Sequence, residues 1–416
     1  MSININNRHF TQLAVIFFRT RRRGIAMKTR SYGTVVMGLR APVLREGDDL
    51  VEISVNTLLS AAENEGFSID DNDILGVTEA VLARTQGNYA TLEDIANDIN
   101  AKFKSDHIGL IFPILSRNRF SMILKGVALT GKKITIQLSY PSDEVGNPLV
   151  SPEQMAKSAV NPWVDVFTAD EFIKVFGESR HPFTNVDYID MYRNIGNTNI
   201  ILANNPTEIL KHTKDILVCD IHTRKITKEV LRKAGAATLY ALDEILNTGQ
   251  HGPGYNPEYG LLGSNIANDT QLKLFPRDAV EFANEVKQSI YDKTGKTVEV
   301  LVYGDGGFKD PVAFIWELAD PVVSPGYTSG LAGLPNETKI KYLADSKFAN
   351  LSGEALNAAI KAYLKNEADD DFEKEGTTPR RIVDLVGSLC DLTSGSGSKG
   401  TPFIFIKGYF DHLGNE

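Results

Sequence analysis

Apolar positions recur through residues 32–39 and stop at a proline-bearing turn, GLRAPVLREGDDL, so the pattern predicts a first strand and then a loop. Beyond Asp48 and Asp49 the spacing of Ile53, Val55, Leu58, Leu59 and Ala62 fits a helix. The two aspartates stand where a helix start favours carboxylates, which makes capping their expected role. The run DILGVTEAVLART, residues 73–85, predicts a strand closed by Gln86 and Gly87, with Glu79 and Arg84 as either exposed strand charges or ligand groups.

Residues from about 106 to 255 have a different texture. HIGLIFPIL, SMILKGVAL and KKITIQLSY predict a short antiparallel sheet. NTNIILANN, DILVCDIH and ATLYAL then predict three strands separated by helical stretches, a βαβαβ unit with parallel strands. Ligands of such sheets gather beyond the carboxyl ends of strands, so Asn204, Asn205, Asp220 and His222 mark either a second pocket or ordinary loop chemistry. Asp220 and His222 alone do not define a metal site.

A helical pattern over 277–291 leads to KTVEVLVYGDGGFKDP, where apolar residues from Val298 to Val302 deliver Asp305 to a glycine-softened turn. There the carboxylate either reaches a metal ion or closes a plain Asp-Gly turn. An alanine- and charge-rich stretch over 345–378, with Asp369, Asp370 and Asp371, reads as a solvated helix and linker. A further helix from Pro379 carries Ile382, Val383, Leu385, Val386 and Leu389 on one face. It runs into TSGSGSKGTP and a strand over 403–407. Gly395, Gly397 and Gly400 let backbone N–H groups turn inward, the serines add donors and Lys399 adds a positive charge, so the segment is either a phosphate loop or a flexible linker. Its helix–loop–strand order, with Gly400 after Lys399, excludes a Walker P-loop.

Composition narrows the function class. At 416 residues and 42% hydrophobic, the chain is long enough for two or three packed domains. The net charge of −9 lacks the basic excess of a general nucleic-acid binder and suits a small-ligand site. Cys219 and Cys390 are the only cysteines and both sit in apolar runs, which argues against a disulfide framework or cysteine zinc site and fits a reducing cytoplasm. The apolar run 13–18 is too short to span a membrane, and its arginines at 19, 21, 22 and 23 follow rather than precede it. Residues 1–30 therefore read as a dispensable extension, with Met27 an alternative start.

Several of these segments together resemble the coenzyme F420-0:γ-glutamyl ligase family. The resemblance rests, in order, on GLRAPVLREGDDL, DILGVTEAVLARTQG, GLLGSN, TGKTVEVLVYGDGGF and IVDLVGSLCDLTSGSGSKGTPFIFIKG. It implies an α+β fold, a two-part mixed core over residues 31–105 and 256–416, with 106–255 an inserted β and α/β section. It also implies a cytoplasmic homodimer that uses GTP and Mg²⁺ or Mn²⁺ to join L-glutamate to a small-molecule acceptor, with no nucleic acid or membrane partner. Carried over, Ala41, Pro42, Val43 and Asn265 lie by the nucleotide, Arg84 takes the place of a phosphate-facing lysine, and Asp305 is a metal ligand. Gly395, Ser396, Gly397, Ser398, Lys399 and Gly400 form the loop around the triphosphate. Asp305, Lys399 and Arg84 are then the catalytic candidates. Where the family has its other metal-binding residues, this chain has Leu262, Gly306 and Ser396, with Asp310, Glu317 and Asp320 as nearby carboxylates. Rival readings are a noncatalytic protein that keeps a phosphate-containing ligand, and a metal-dependent phosphohydrolase.

Overall fold

The computed structural model describes residues 32–181, 184–304, 324–334, 338–365, 381–394 and 397–411. The N-terminal extension, Asp305, Gly306, Asp310, Glu317, Asp320, Asp369, Asp370, Asp371, Gly395 and Ser396 lie outside them.

The fold is α+β. Five strands make the first sheet: β1 (Val35–Leu39), β2 (Ile74–Thr78), β12 (Glu299–Tyr303), β13 (Gly326–Tyr327) and β14 (Phe403–Lys407), in the order β1-β14-β2-β12-β13. Only β2 and β12 run parallel; the other pairs are antiparallel. Side chains alternate across this sheet. Leu75, Val77, Val300, Val302, Phe403 and Phe405 face the helices α1 (Leu50–Glu65) and α6 (Ala279–Thr294), whereas Ile74, Leu301, Tyr303, Ile404 and Ile406 face α7 (Ile382–Ser394). Asp49 caps α1 by accepting from Glu52 N at 2.9 Å, as its position predicts, while Asp48 accepts from Arg45 N and closes the preceding turn.

Residues 107–241 build a sheet of their own. β4 (His107–Ile111), β5 (Lys133–Leu138), β7 (Thr198–Leu202), β8 (Asp215–Val218) and β9 (Thr238–Ala241) are parallel, in the order β7-β5-β4-β8-β9, with the short β6 (Phe167–Thr168) antiparallel at the edge. The chain winds outward from β4 to β7, then crosses back to the far side of β4, so strand order reverses between β4 and β8.

Two expectations need correction here. The segment SMILKGVAL is not a strand but the helix α4 (Phe120–Ala128), and the β4 and β5 that flank it are parallel rather than antiparallel. Seven of the nine residues of α4 are buried, so its apolar positions are not confined to one narrow stripe. The three strands read as a simple βαβαβ unit are also separated, because β4 and β5 lie between β7 and β8.

A third sheet, β10 (Asn265–Asn268), β11 (Gln271–Lys273) and β3 (Tyr89–Thr91), is antiparallel. Its Ala90 and Leu272 belong to the same apolar core as α4, the helix α3 (Leu92–Lys102) and the inner face of the six-stranded sheet. This shared core joins the third sheet to the six-stranded one, while the five-stranded sheet packs into two cores of its own.

Candidate active site

Four connections converge on one end of the five-stranded sheet. β2 and β12 both finish there, at Thr78 and Tyr303. β14, antiparallel to β2, begins there at Phe403, and β1, antiparallel to β14, ends there at Leu39. The loop after β1, the helix after β2, the chain leaving β12 and the glycine loop before β14 therefore share one rim.

The glycine loop is pinned to that rim. Gly397–Lys399 forms one turn of 3₁₀ helix, and Gly400 has φ of +65°, a left-handed backbone that favours glycine. The Gly400 carbonyl accepts from Ala41 N at 3.1 Å, and the Pro402 carbonyl accepts from Thr78 N at 3.0 Å. These bonds hold the C-terminal end of the loop, Gly400 and Pro402, against the rim. Gly397, Ser398, Lys399 and Gly400 are all exposed, and Lys399 pairs with no carboxylate among the described residues. Pro42 and Val43 are also exposed, Val43 at 84%, beside the half-buried Ala41. Beyond Pro42 a groove of about 770 Å³ opens between β1 and α1, with Arg40, Leu39 and Ile53 among its walls.

Glu79 stands immediately beyond β2, but not in a strand: residues 73–85 divide into β2 and the helix α2 (Glu79–Thr85). Both Glu79 carboxylate oxygens accept from Lys273 Nζ at 2.6 Å, and each partner is only about one-seventh exposed. Lys273 lies opposite Asn265 in the β10–β11 ladder, so this ion pair joins the Asn265 strand to the rim. Lys273 carries no motif and was invisible as a site residue. Its only signal is a polar position in the alternation QLKLF.

Arg84 is exposed in the last turn of α2, about 7.5 Å along the helix axis from Glu79. The neighbouring Thr85 carbonyl accepts from Gly47 N at 2.9 Å. The loop after β1 thus runs from the glycine loop, at Ala41, to the far end of α2, and Arg84 flanks that far end rather than the rim itself. Tyr303, the last residue of β12, directs its hydroxyl at the Pro402 carbonyl, 3.4 Å away. Burial pushes that phenol well above its ordinary range and keeps it protonated.

A family model described as F420-0:Gamma-glutamyl ligase matches residues 38–408, a span that encloses every connection at this rim. The chain belongs to the F420-0:gamma-glutamyl ligase family. No curated protein matches it. For a member of the F420-0:gamma-glutamyl ligase family, the described residues are poor in metal ligands. Leu262, at one metal position of the resemblance, is 1% exposed and sits in the apolar core. Among the described residues no group of three His, Cys, Asp or Glu side chains could hold an ion. Asp305, Gly306 and Ser396 lie outside them. No helix among the described residues is long and apolar enough to cross a membrane.

Three of the four residues suggested for a second pocket make hydrogen bonds within their loops. Asn204 bridges Tyr140 and Pro162, Asn205 caps a 3₁₀ turn, and Asp220 accepts from Thr223 and Thr227. Burial lowers the affinity of His222 for a proton. Glu144, one connection away, accepts from the backbone N–H groups of Ile221 and His222, and burial raises its carboxyl to about 7.

Proposed function

We propose that this chain forms an amide between the amine of L-glutamate and a carboxyl-bearing small acceptor, with GTP as phosphoryl donor. One observation carries the reading: the glycine loop is fixed at the sheet end where β1, β2 and β12 also leave the sheet. Phosphoryl transfer leaves a protein little covalent chemistry to do, so positioned N–H groups and cations supply most of the effect.

An acceptor carboxylate oxygen attacks the γ-phosphorus, the bond to the β-phosphate oxygen breaks, and an acyl phosphate forms as the nucleoside diphosphate leaves. The glutamate amine then attacks the acyl carbon, inorganic phosphate departs, and the nitrogen loses a proton. The exposed glycine loop and Lys399 hold the triphosphate and offset the charge on the transferring group. Ala41, Pro42, Val43 and Asn265 position the nucleotide, and the groove beside Pro42 has the size of a small-ligand site. Arg84, at the far end of α2, adds a second positive charge beside the loop that follows β1. Mg²⁺ or Mn²⁺ enters this reading through Asp305 alone, and the buried Leu262 leaves one family position without an oxygen ligand. We further propose that residues 106–255 are an insertion into the ligase core, since the six-stranded sheet takes all its strands from that stretch.

The test is nucleotide consumption and amide formation with GTP, L-glutamate and candidate acceptors. Consumption that requires both glutamate and acceptor is the expected result, and Lys399→Ala lowers the rate by about 10² or more. Phosphate release that ignores glutamate sinks the ligase reading in favour of a phosphohydrolase. The burial of Leu262 favours one rival, a noncatalytic ligand-binding protein. Metal-independent GTP binding without turnover is its signature.

A further inference from the structure

Strand alternation decides where Lys273 points. Leu272 and Leu274 are fully buried in the core shared with the six-stranded sheet, so the side chain between them leaves β11 on the opposite face. Asn265 stands directly across from Lys273 in the antiparallel β10–β11 ladder, and such partners carry their side chains on one face, with Cβ atoms about 5 Å apart. Asn265 Oδ1 accepts from Ile266 N at 2.9 Å, while its Nδ2 has no hydrogen-bond partner among the described residues. A donor is thus presented beside Lys273.

Glu79 meets Lys273 from the rim. It follows Thr78, whose N–H donates to the Pro402 carbonyl at the end of the glycine loop. Lys273 Nζ donates to both Glu79 carboxylate oxygens at 2.6 Å. At the other end of α2, Gln86 Nε2 donates to the Arg277 carbonyl at 2.6 Å and Gln86 Oε1 accepts from Arg277 N at 2.8 Å. α2 is therefore clamped at both ends to the chain that runs from β11 to α6. Apolar packing does not supply this restraint, because the third sheet and the five-stranded sheet belong to separate cores. The spacing between the glycine loop and Asn265 is left to polar contacts, and this one is strong. Each partner is only about one-seventh exposed, so solvent screens the attraction far less than in a surface pair.

We propose that Glu79 and Lys273 are positioning residues for the nucleotide: their ion pair holds Asn265 at the distance from the glycine loop at which both engage one nucleoside triphosphate. This rests on the ligase reading above, in which both segments hold GTP. The pair acts through Asn265 and through the Pro402 anchor, and takes no part in the bond changes.

The experiment compares Lys273→Met, Lys273→Arg and the double variant Glu79→Gln with Lys273→Met in the full chain. Each is assayed by steady-state kinetics, by thermal melting, and by calorimetric titration with GTP in the absence of glutamate and acceptor. The expected result is that Kd and KM for GTP rise about tenfold in Lys273→Met, the loss of one well-placed polar contact. Because that contact serves ground and transition states alike, kcat at saturating GTP and KM for glutamate stay within about threefold. Lys273→Arg, which keeps the charge, recovers most of the affinity. Lys273→Met leaves Glu79 buried without its partner, so the double variant, which has no charge at either position, decides by the same Kd if the single one does not fold. A pair that only stabilises the fold lowers the melting temperature and the active fraction but leaves Kd for GTP unchanged. That outcome overturns the proposal, as does Lys273→Arg binding GTP no better than Lys273→Met. An unaltered chain that binds GTP yet makes no amide sinks ligation and leaves the pair's effect on affinity standing; one that binds no GTP sinks both.

Discussion

Gly76, in the middle of β2, sets the distance between the five-stranded sheet and α7. A Cβ built there would lie 2.5 Å from Cys390 Sγ, inside van der Waals contact. Gly76→Ala is therefore expected to destabilise the fold by about 1–3 kcal/mol through overpacking. Cys390→Ala removes the obstructing sulfur, so in the double variant the two costs should fall clearly short of their sum, measured by urea unfolding. Strict additivity would show that the helix shifts instead. The burial that pushes the Cys390 thiol far up also keeps it unreactive, so its part is packing. At this scale the sequence is only partly legible. Asp49 announces its cap through position alone, whereas Lys273 gains its importance from Glu79, 194 residues away, a pairing that no local pattern encodes.

Elements differ in how openly they declare themselves. β12 and β14 read correctly because each is a short apolar run bounded by turn residues. The split of residues 73–85 into β2 and α2, and the helical state of α4, were hidden. Residues 79–85 are too few to show a helical period, and seven of the nine residues of α4 are buried, so tertiary packing decides both. The connection after β8 offers a test of how such an element is held. Glu144 binds its backbone, and burial raises that carboxyl from the usual 4.5 to about 7, with Asp220 and Asp143 adding repulsion. The folded state then binds the proton more tightly than the unfolded chain does. This stabilisation is fully present below pH 4.5 and is lost as pH rises to about 7, for a total of about 3 kcal/mol. Glu144→Gln should flatten that limb of the stability–pH curve. An unchanged slope between pH 4.5 and 7 in the variant would show that other carboxyls carry it.

Across the whole molecule, the family and the mixed core were legible, because loops at the rim carry their glycines, prolines and asparagine in chain order. What sequence could not show is that the turn leaving β4 reaches the Asn265 strand, since the link is one backbone hydrogen bond from Ile266 to Asn118. Chain order within the first sheet has its own effect. β14, Phe403–Lys407, lies between β1 and β2, so the last of the described strands fills the space between the first two. During translation the parallel sheet can close as soon as residue 241 has emerged, while the five-stranded sheet must wait for residues 403–407. Ribosome-bound chains halted after residue 300 should resist protease over residues 107–241 and be cut within 32–85; equal protection of both regions would contradict this order. Assembly of this rim is thereby held back until residues 403–407 have left the ribosome, so a chain that stops short of them keeps its parallel sheet yet forfeits the strand that anchors the glycine loop.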